Sequence, residues 1–110
     1  MAQVHAASGD IVDIRPLGAA LPQHRTVAIL KADQLELVRI VLLAGQTLKQ
    51  HSAPGEITVL CLEGEIEFST TSGIHLLGSG QLIHLAAGEP HSLTARSAAS
   101  ALVTMCLVRP

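Results

Sequence analysis

Short runs of β-branched and aliphatic residues, cut by turn residues at intervals of about eight to twelve positions, constrain this chain to strands packed as a sandwich or barrel. Helical periodicity is hard to find anywhere in it. DIVDIRPL (10–17) reads as a first strand that ends near Pro16, Gly18 and Pro22. TVAIL (26–30) then turns through Lys31, Ala32 and Asp33 into QLELVRIVLLAG (34–45), and this pair is expected to form a hairpin. EITVLCLEGEIEF (56–68) reads as a second hairpin turning at Glu63-Gly64, with Glu63, Glu65 and Glu67 facing water. Turns at Ser72-Gly73 and Gly78–Gly80 punctuate two further strands before the loop that leads to His91, and ALVTMCLV (101–108) closes the series. The fold class expected is all-β.

Composition bounds the partners. With 110 residues, of which 48% are hydrophobic and 15% charged, the chain is large enough for one core and too small for two, so one domain over 1–110 is expected. The net charge of -2 arises from 9 acidic and 7 basic residues scattered without blocks, which does not suit nucleic acid or an anionic membrane surface. Apolar stretches such as Ile40 to Ala44 are far shorter than the ~20 residues of a membrane helix, and the start lacks the pattern of an export leader, so a cytoplasmic location is the default. Cys61 and Cys106 each lie in an apolar run and read as buried thiols rather than a disulfide. Phe68 is the one aromatic residue and reads as core. Any pocket is therefore lined by aliphatics, and ligands held by aromatic stacking are disfavoured.

Glycines and histidines recur at a spacing that carries more. Gly45, His51 and Gly64 match the pattern G-x5-H-x-H-x3-E-x6-G, and Gly80, Gly88 and His91 match G-x5-P-x-G-x2-H-x3-N, with residues 65–79 between the two. These residues resemble the two motifs of the small single-domain cupins of the RmlC-like superfamily, at 45–64 and 80–95, and residues 1–24 would form an N-terminal arm and first strand. The resemblance implies a jelly-roll, or double-stranded β-helix, of two packed antiparallel sheets.

Cupin metal sites draw three histidines and a glutamate from these motif positions. Here Ala53 replaces the second histidine and Ile57 the glutamate, while Ala86 and Ala95 replace the proline and asparagine of the second motif. His51 and His91 remain as candidate metal ligands. Two imidazoles alone hold iron, manganese, nickel or zinc weakly, because functional sites use at least three protein ligands. Glu56 and His84 are the additional candidates: Glu56 lies one residue before the motif glutamate, beside Pro54-Gly55, and His84 lies on a strand that ends near His91. Cys61 faces inward but is four residues from Ile57, or ~13 Å at ~3.3 Å per residue, and is discounted. His5, His24 and His75 read as surface residues, and Arg39 as a barrel-lining group or the partner of an acid across the sheet.

Three functions remain open. The preferred one is a binding module with a degenerate metal site, for a small-molecule ligand or a weakly held metal. A metal-dependent enzyme of the oxygenase, isomerase or decarboxylase kinds found among cupins requires Glu56, His84 or a substrate atom to complete the site. A non-catalytic dimeric scaffold is the third. Strands such as ITVLCL and LVRIVLL are apolar on both faces, so an outer face of Val38, Ile40, Leu42 or of Thr58, Leu60, Leu62 is expected to pair two copies into a homodimer unless residues 1–24 fold back over it.

Overall fold

The structure is a computed structural model and describes residues 5–107. Among the described residues a short 3-10 helix, Gly18–Gln23, precedes nine strands: β1 (Val27–Lys31), β2 (Leu35–Leu42), β3 (Thr47–His51), β4 (Ile57–Glu63), β5 (Ile66–Thr70), β6 (Gly73–Leu77), β7 (Leu82–Leu85), β8 (His91–Ala95) and β9 (Ala99–Cys106). They form a five-stranded sheet in the order β1-β2-β9-β4-β7 and a four-stranded sheet in the order β3-β8-β5-β6. Every pairing is antiparallel. The two sheets pack face to face as a jelly-roll barrel, and among the described residues no helix is long and apolar enough to cross a membrane.

Alternation along each strand decides which residues meet between the sheets. Ile40 and Leu42 of β2, Ile57, Val59 and Cys61 of β4, and Ala101 and Val103 of β9 point inward from the larger sheet. Ile66 and Phe68 of β5 and Leu93 of β8 answer them from the smaller one. Phe68 is fully buried at 0% exposure, and removing a side chain of that size from water contributes about 1.5–3 kcal/mol. Cys61 is buried as expected, whereas Cys106 is exposed, because it falls on the outward parity of β9.

Two strand assignments from the sequence need correction. Residues 56–68 are not a hairpin: β4 pairs with β7 and β9, β5 pairs with β6 and β8, and the chain crosses between the sheets at Gly64. Gly64 has φ 79°, and a Cβ there would lie 2.2 Å from the Ala98 carbonyl oxygen, so only glycine fits this corner. The hairpin of β1 and β2 does form. Residues 10–17 are not a strand either. Local turns replace it, with the Asp10 carboxylate accepting from the Ala7 amide and Asp13 accepting from the amide and guanidinium of Arg15, before the 3-10 helix that carries Pro22. Residues 1–4 of the expected arm lie outside the described residues.

The crossing corner also redirects Glu63, which was expected to face water. A register shift between Cys61 and Glu63 turns its side chain under the arm, where it is 14% exposed. Its carboxylate accepts hydrogen bonds from the Ser100 hydroxyl, from the Leu17 amide at 2.8 Å and from the Gly18 amide at 2.9 Å. Arg39 lies 3.6 Å away, so of the two roles open to it Arg39 takes that of an acid's partner on the outer face. Its Nη2 also donates to the Arg15 carbonyl at 2.6 Å. Burial alone would raise the Glu63 carboxyl, but the Ser100 hydroxyl, the two arm amides and Arg39 outweigh it and hold the group below its usual 4.5.

The folded value thus lies below the unfolded one. The resulting stability is fully present above 4.5 and is lost as the pH falls through the depressed folded value. Glu63→Gln keeps the shape but cannot accept both arm amides with charge. It is expected to cost about 2 kcal/mol in urea denaturation at neutral pH and to flatten the acid-side loss of stability; a variant as stable as the parent at both pH values would contradict this role.

Candidate functional site

His51 ends β3 and His91 begins β8, and the two are direct Cα partners in the smaller sheet. Their convergence depends on a bulge. Leu48 pairs with Leu93 and His51 with His91, so three steps along β3 answer two along β8. Without the extra residue, Leu48 and His51 would point to opposite faces; with it, both point between the sheets. The imidazole rings lie 4.3 Å apart, centre to centre, and His91 stacks on Phe68 at 5.6 Å.

Hydrogen bonds select one nitrogen of each ring. The Nδ1–H of His51 donates to the Lys49 carbonyl at 2.8 Å, and that of His91 to the Glu89 carbonyl at 3.0 Å. A carbonyl oxygen only accepts, so each neutral ring carries its proton on Nδ1 and presents the lone pair of Nε2. Among the described residues, Arg39 Nε is the one buried side-chain nitrogen or oxygen without a partner, so Nε2 of the buried His91 is not sealed off. The His91 loop is held in turn. Hydrogen bonds from the Thr71 hydroxyl and amide hold the Glu89 carboxyl below the usual carboxylate range.

Both rings border a cavity of about 430 Å³ between the sheets. Val38, Ile40, Ile57, Val59, Val103 and Met105 from the larger sheet and Leu48, Phe68 and Leu93 from the smaller one supply an apolar wall. Ser52, Ala53 and Pro54 border it beyond His51. Ala53 and Ile57 stand at the cavity where the motif would carry a histidine and a glutamate, and they replace two donors with hydrocarbon.

Neither additional ligand candidate joins the histidines. His84 pairs with Thr58 in the larger sheet, and that parity is the outer face, opposite to Ile57 and Val59. Its Nε2 meets a Glu56 carboxylate oxygen at 2.8 Å, with both side chains more than half exposed. Glu56 and His84 therefore hold each other on the outside of the barrel and do not border the cavity. Among the described residues, no group of three or more histidine, cysteine, aspartate or glutamate side chains could hold a metal ion. The donor set does not fit a tightly held transition metal. Cys61 adds nothing to it, since burial pushes its thiol up and its sulfur lies 3.5 Å from the carbonyls of Glu63 and Gly64.

The bulge and the stacking of His91 on Phe68 were missed in the sequence. The signal for the first was the odd spacing between Leu48 and His51, since an apolar residue and a site residue three apart on one strand cannot share a face without an inserted position. His75 is half-buried, with the Thr70 and Ser72 hydroxyls 3.2 and 3.1 Å from its Nε2.

Comparison with known proteins agrees with this architecture. A cupin superfamily protein of Desulfitobacterium hafniense superposes with a TM-score of 0.78 at 16% identity, over 94% of this chain and 100% of that one. An RmlC-like cupin protein of Desulfovibrio desulfuricans gives 0.72 at 25% identity, over 88% and 97%. A protein of Thermus thermophilus gives 0.68 at 28% identity, over 91% and 98%. No curated protein matches the chain. The family model described as "Cupin domain" matches residues 38–108, which include β3, β8 and both histidines. The chain belongs to the cupin family.

Proposed function

We propose that the protein is a small-molecule binding module whose ligand enters the cavity between the sheets and meets His51 and His91. The observation that carries this reading is an apolar cavity of about 430 Å³ bordered by two imidazoles 4.3 Å apart, each with its Nδ1 bonded to a backbone carbonyl and its Nε2 unbonded. Ligand sites are concave, of about 300–1,000 Å³, and mostly apolar, with a few polar groups that orient the guest. The matching guest has a compact apolar body and a hydroxyl or other donor directed at the imidazoles. Phe68 is already stacked on His91, so shape and the aliphatic wall, rather than aromatic stacking, select the guest.

A divalent transition metal at this place is held weakly. Two imidazole nitrogens supply half of a tetrahedral set, and the places of the other two hold Ala53 and Ile57. An enzyme completed by Glu56 or His84 is the less favoured reading, because those two side chains are bonded to each other on the outer face.

The outer face of the larger sheet supports pairing of two copies. Val38, Ile40 and Leu42 point inward and take no part, whereas Thr58, Leu60 and Leu62 lie on the outer parity. Residues 5–18 shield the β1 and β2 side of that face and leave Leu82 exposed, at 56%, beside the partly exposed Leu60 and Leu102. This patch is uncharged at its centre, so the same surface on a second copy complements it about a two-fold axis.

Three measurements test these readings. Cyclohexanol, followed by amide chemical shifts, is expected to perturb Leu48, Ile57 and Leu93, and both His51→Ala and His91→Phe are expected to weaken it about fivefold, the worth of one neutral hydrogen bond; unchanged affinity in both variants would remove the histidines from the site. Treatment with a chelator is expected to leave the melting temperature where it was, and a fall of several degrees would mean that metal contributes to folding. Light scattering is expected to give twice 11.5 kDa, reduced to 11.5 kDa by Leu82→Glu, while a parent protein of monomer mass refutes the pairing.

A further inference from the structure

A second cavity lies outside the barrel and owes nothing to the motif histidines. The N-terminal arm is tied to the larger sheet at two ends, by the Ala6 amide donating to the Ile29 carbonyl at 2.9 Å and by the bonds of Leu17 and Gly18 to Glu63. Between these ties the arm stands off β1 and β2 and encloses a cleft of about 690 Å³. The floor is apolar, from Val27, Ile29 and Val41, and Arg39 and Arg25 border it together with His24.

The acids of the cleft are engaged, while Arg25 and part of the Arg39 guanidinium, which meets Glu63 through Nη2, are not. Asp13 is bound by the Arg15 guanidinium at 2.7 Å, and that hydrogen bond holds its carboxyl down to about 2. Asp10 accepts from the arm's own Ala7 amide at 2.8 Å. By contrast, among the described residues no hydrogen bond or ion pair engages the side chains of Arg25 or His24. Arg39 is 7% exposed, and every described bond it makes uses Nη2 alone. Its Nε is buried without a partner, whereas Nη1 is neither sealed nor bonded, on a side chain that borders the cleft. A guanidinium so largely withdrawn from water, with unused donors beside an aliphatic floor, has chemistry that matches an anionic head on an apolar tail.

We propose that this cleft is a second ligand site, for a small carboxylate carrying a short aliphatic chain. The carboxylate lies between Arg25 and Arg39, and the chain rests on Val27, Ile29 and Val41. This site is independent of the cavity at His51 and His91 and stands or falls separately from it.

Hexanoate titrated into the full chain tests it, with 1-hexanol as the uncharged control. Saturable amide shifts are expected at Val27, Ile29 and Val41, with hexanol at least tenfold weaker. Arg25→Gln, at an exposed position that spares the fold, is expected to weaken hexanoate about tenfold, as the loss of one charge-assisted hydrogen bond does. His51→Ala is expected to change nothing. The site is refuted if these amides do not respond, if Arg25→Gln binds as tightly as the parent, or if hexanol matches hexanoate. Shifts confined to Leu48 and Leu93 and abolished by His51→Ala would place the binding in the central cavity and equally refute it.

Discussion

One carboxylate withdrawn from water, that of Glu63, joins the separate parts of this molecule. It sits where the chain leaves the larger sheet for the smaller one, and it gathers Ser100 from β9, Arg39 from β2 and the backbone of the arm at Leu17 and Gly18. Burying a charge is unfavourable unless it is paired and hydrogen-bonded on most of its lone pairs. Here each oxygen has a donor, so the arrangement holds only while all four segments are in place. The corner at Gly64, the packing of the arm and the orientation of Arg39 therefore form together.

The site follows from a different constraint, the parity of strands. A barrel of alternating residues places every second side chain inside, and the single extra residue in β3 brings His51 into register with His91 above Phe68. Two of the four donor positions of the motif then hold Ala53 and Ile57. Their hydrocarbon completes the wall instead of a coordination sphere, so the cavity keeps two of the motif's four donors and is otherwise mostly apolar.

Much of this was legible in the sequence, for identifiable reasons. Strand composition and turn residues located the hairpin of β1 and β2 and the strands around Gly73 and Gly80, because those pairings are local. Motif spacing brought out His51 and His91. Long-range partners were not legible: Glu63-Gly64 has the residues of a tight turn, and only the packing against Ala98 and Ala99 shows that the chain changes sheets there. DIVDIRPL has strand composition but its amides are used elsewhere: that of Asp10 donates to the Ala7 carbonyl, that of Arg15 to the Asp13 carboxylate and that of Leu17 to Glu63. Glu56 and His84 looked like ligands because both lie close in sequence to motif positions, yet strand alternation sends His84 to the outer face, where it meets Glu56.

The stacking of Phe68 on His91 has an optical consequence. Tryptophan and tyrosine are absent, so this one benzene ring dominates the protein's own near-ultraviolet absorption. It is fixed in an asymmetric surrounding against one wall of the cavity. The fine structure of its weak circular dichroism therefore reports on the site alone, without overlapping bands from the rest of the chain, and a guest with its own chromophore is seen against an almost dark background.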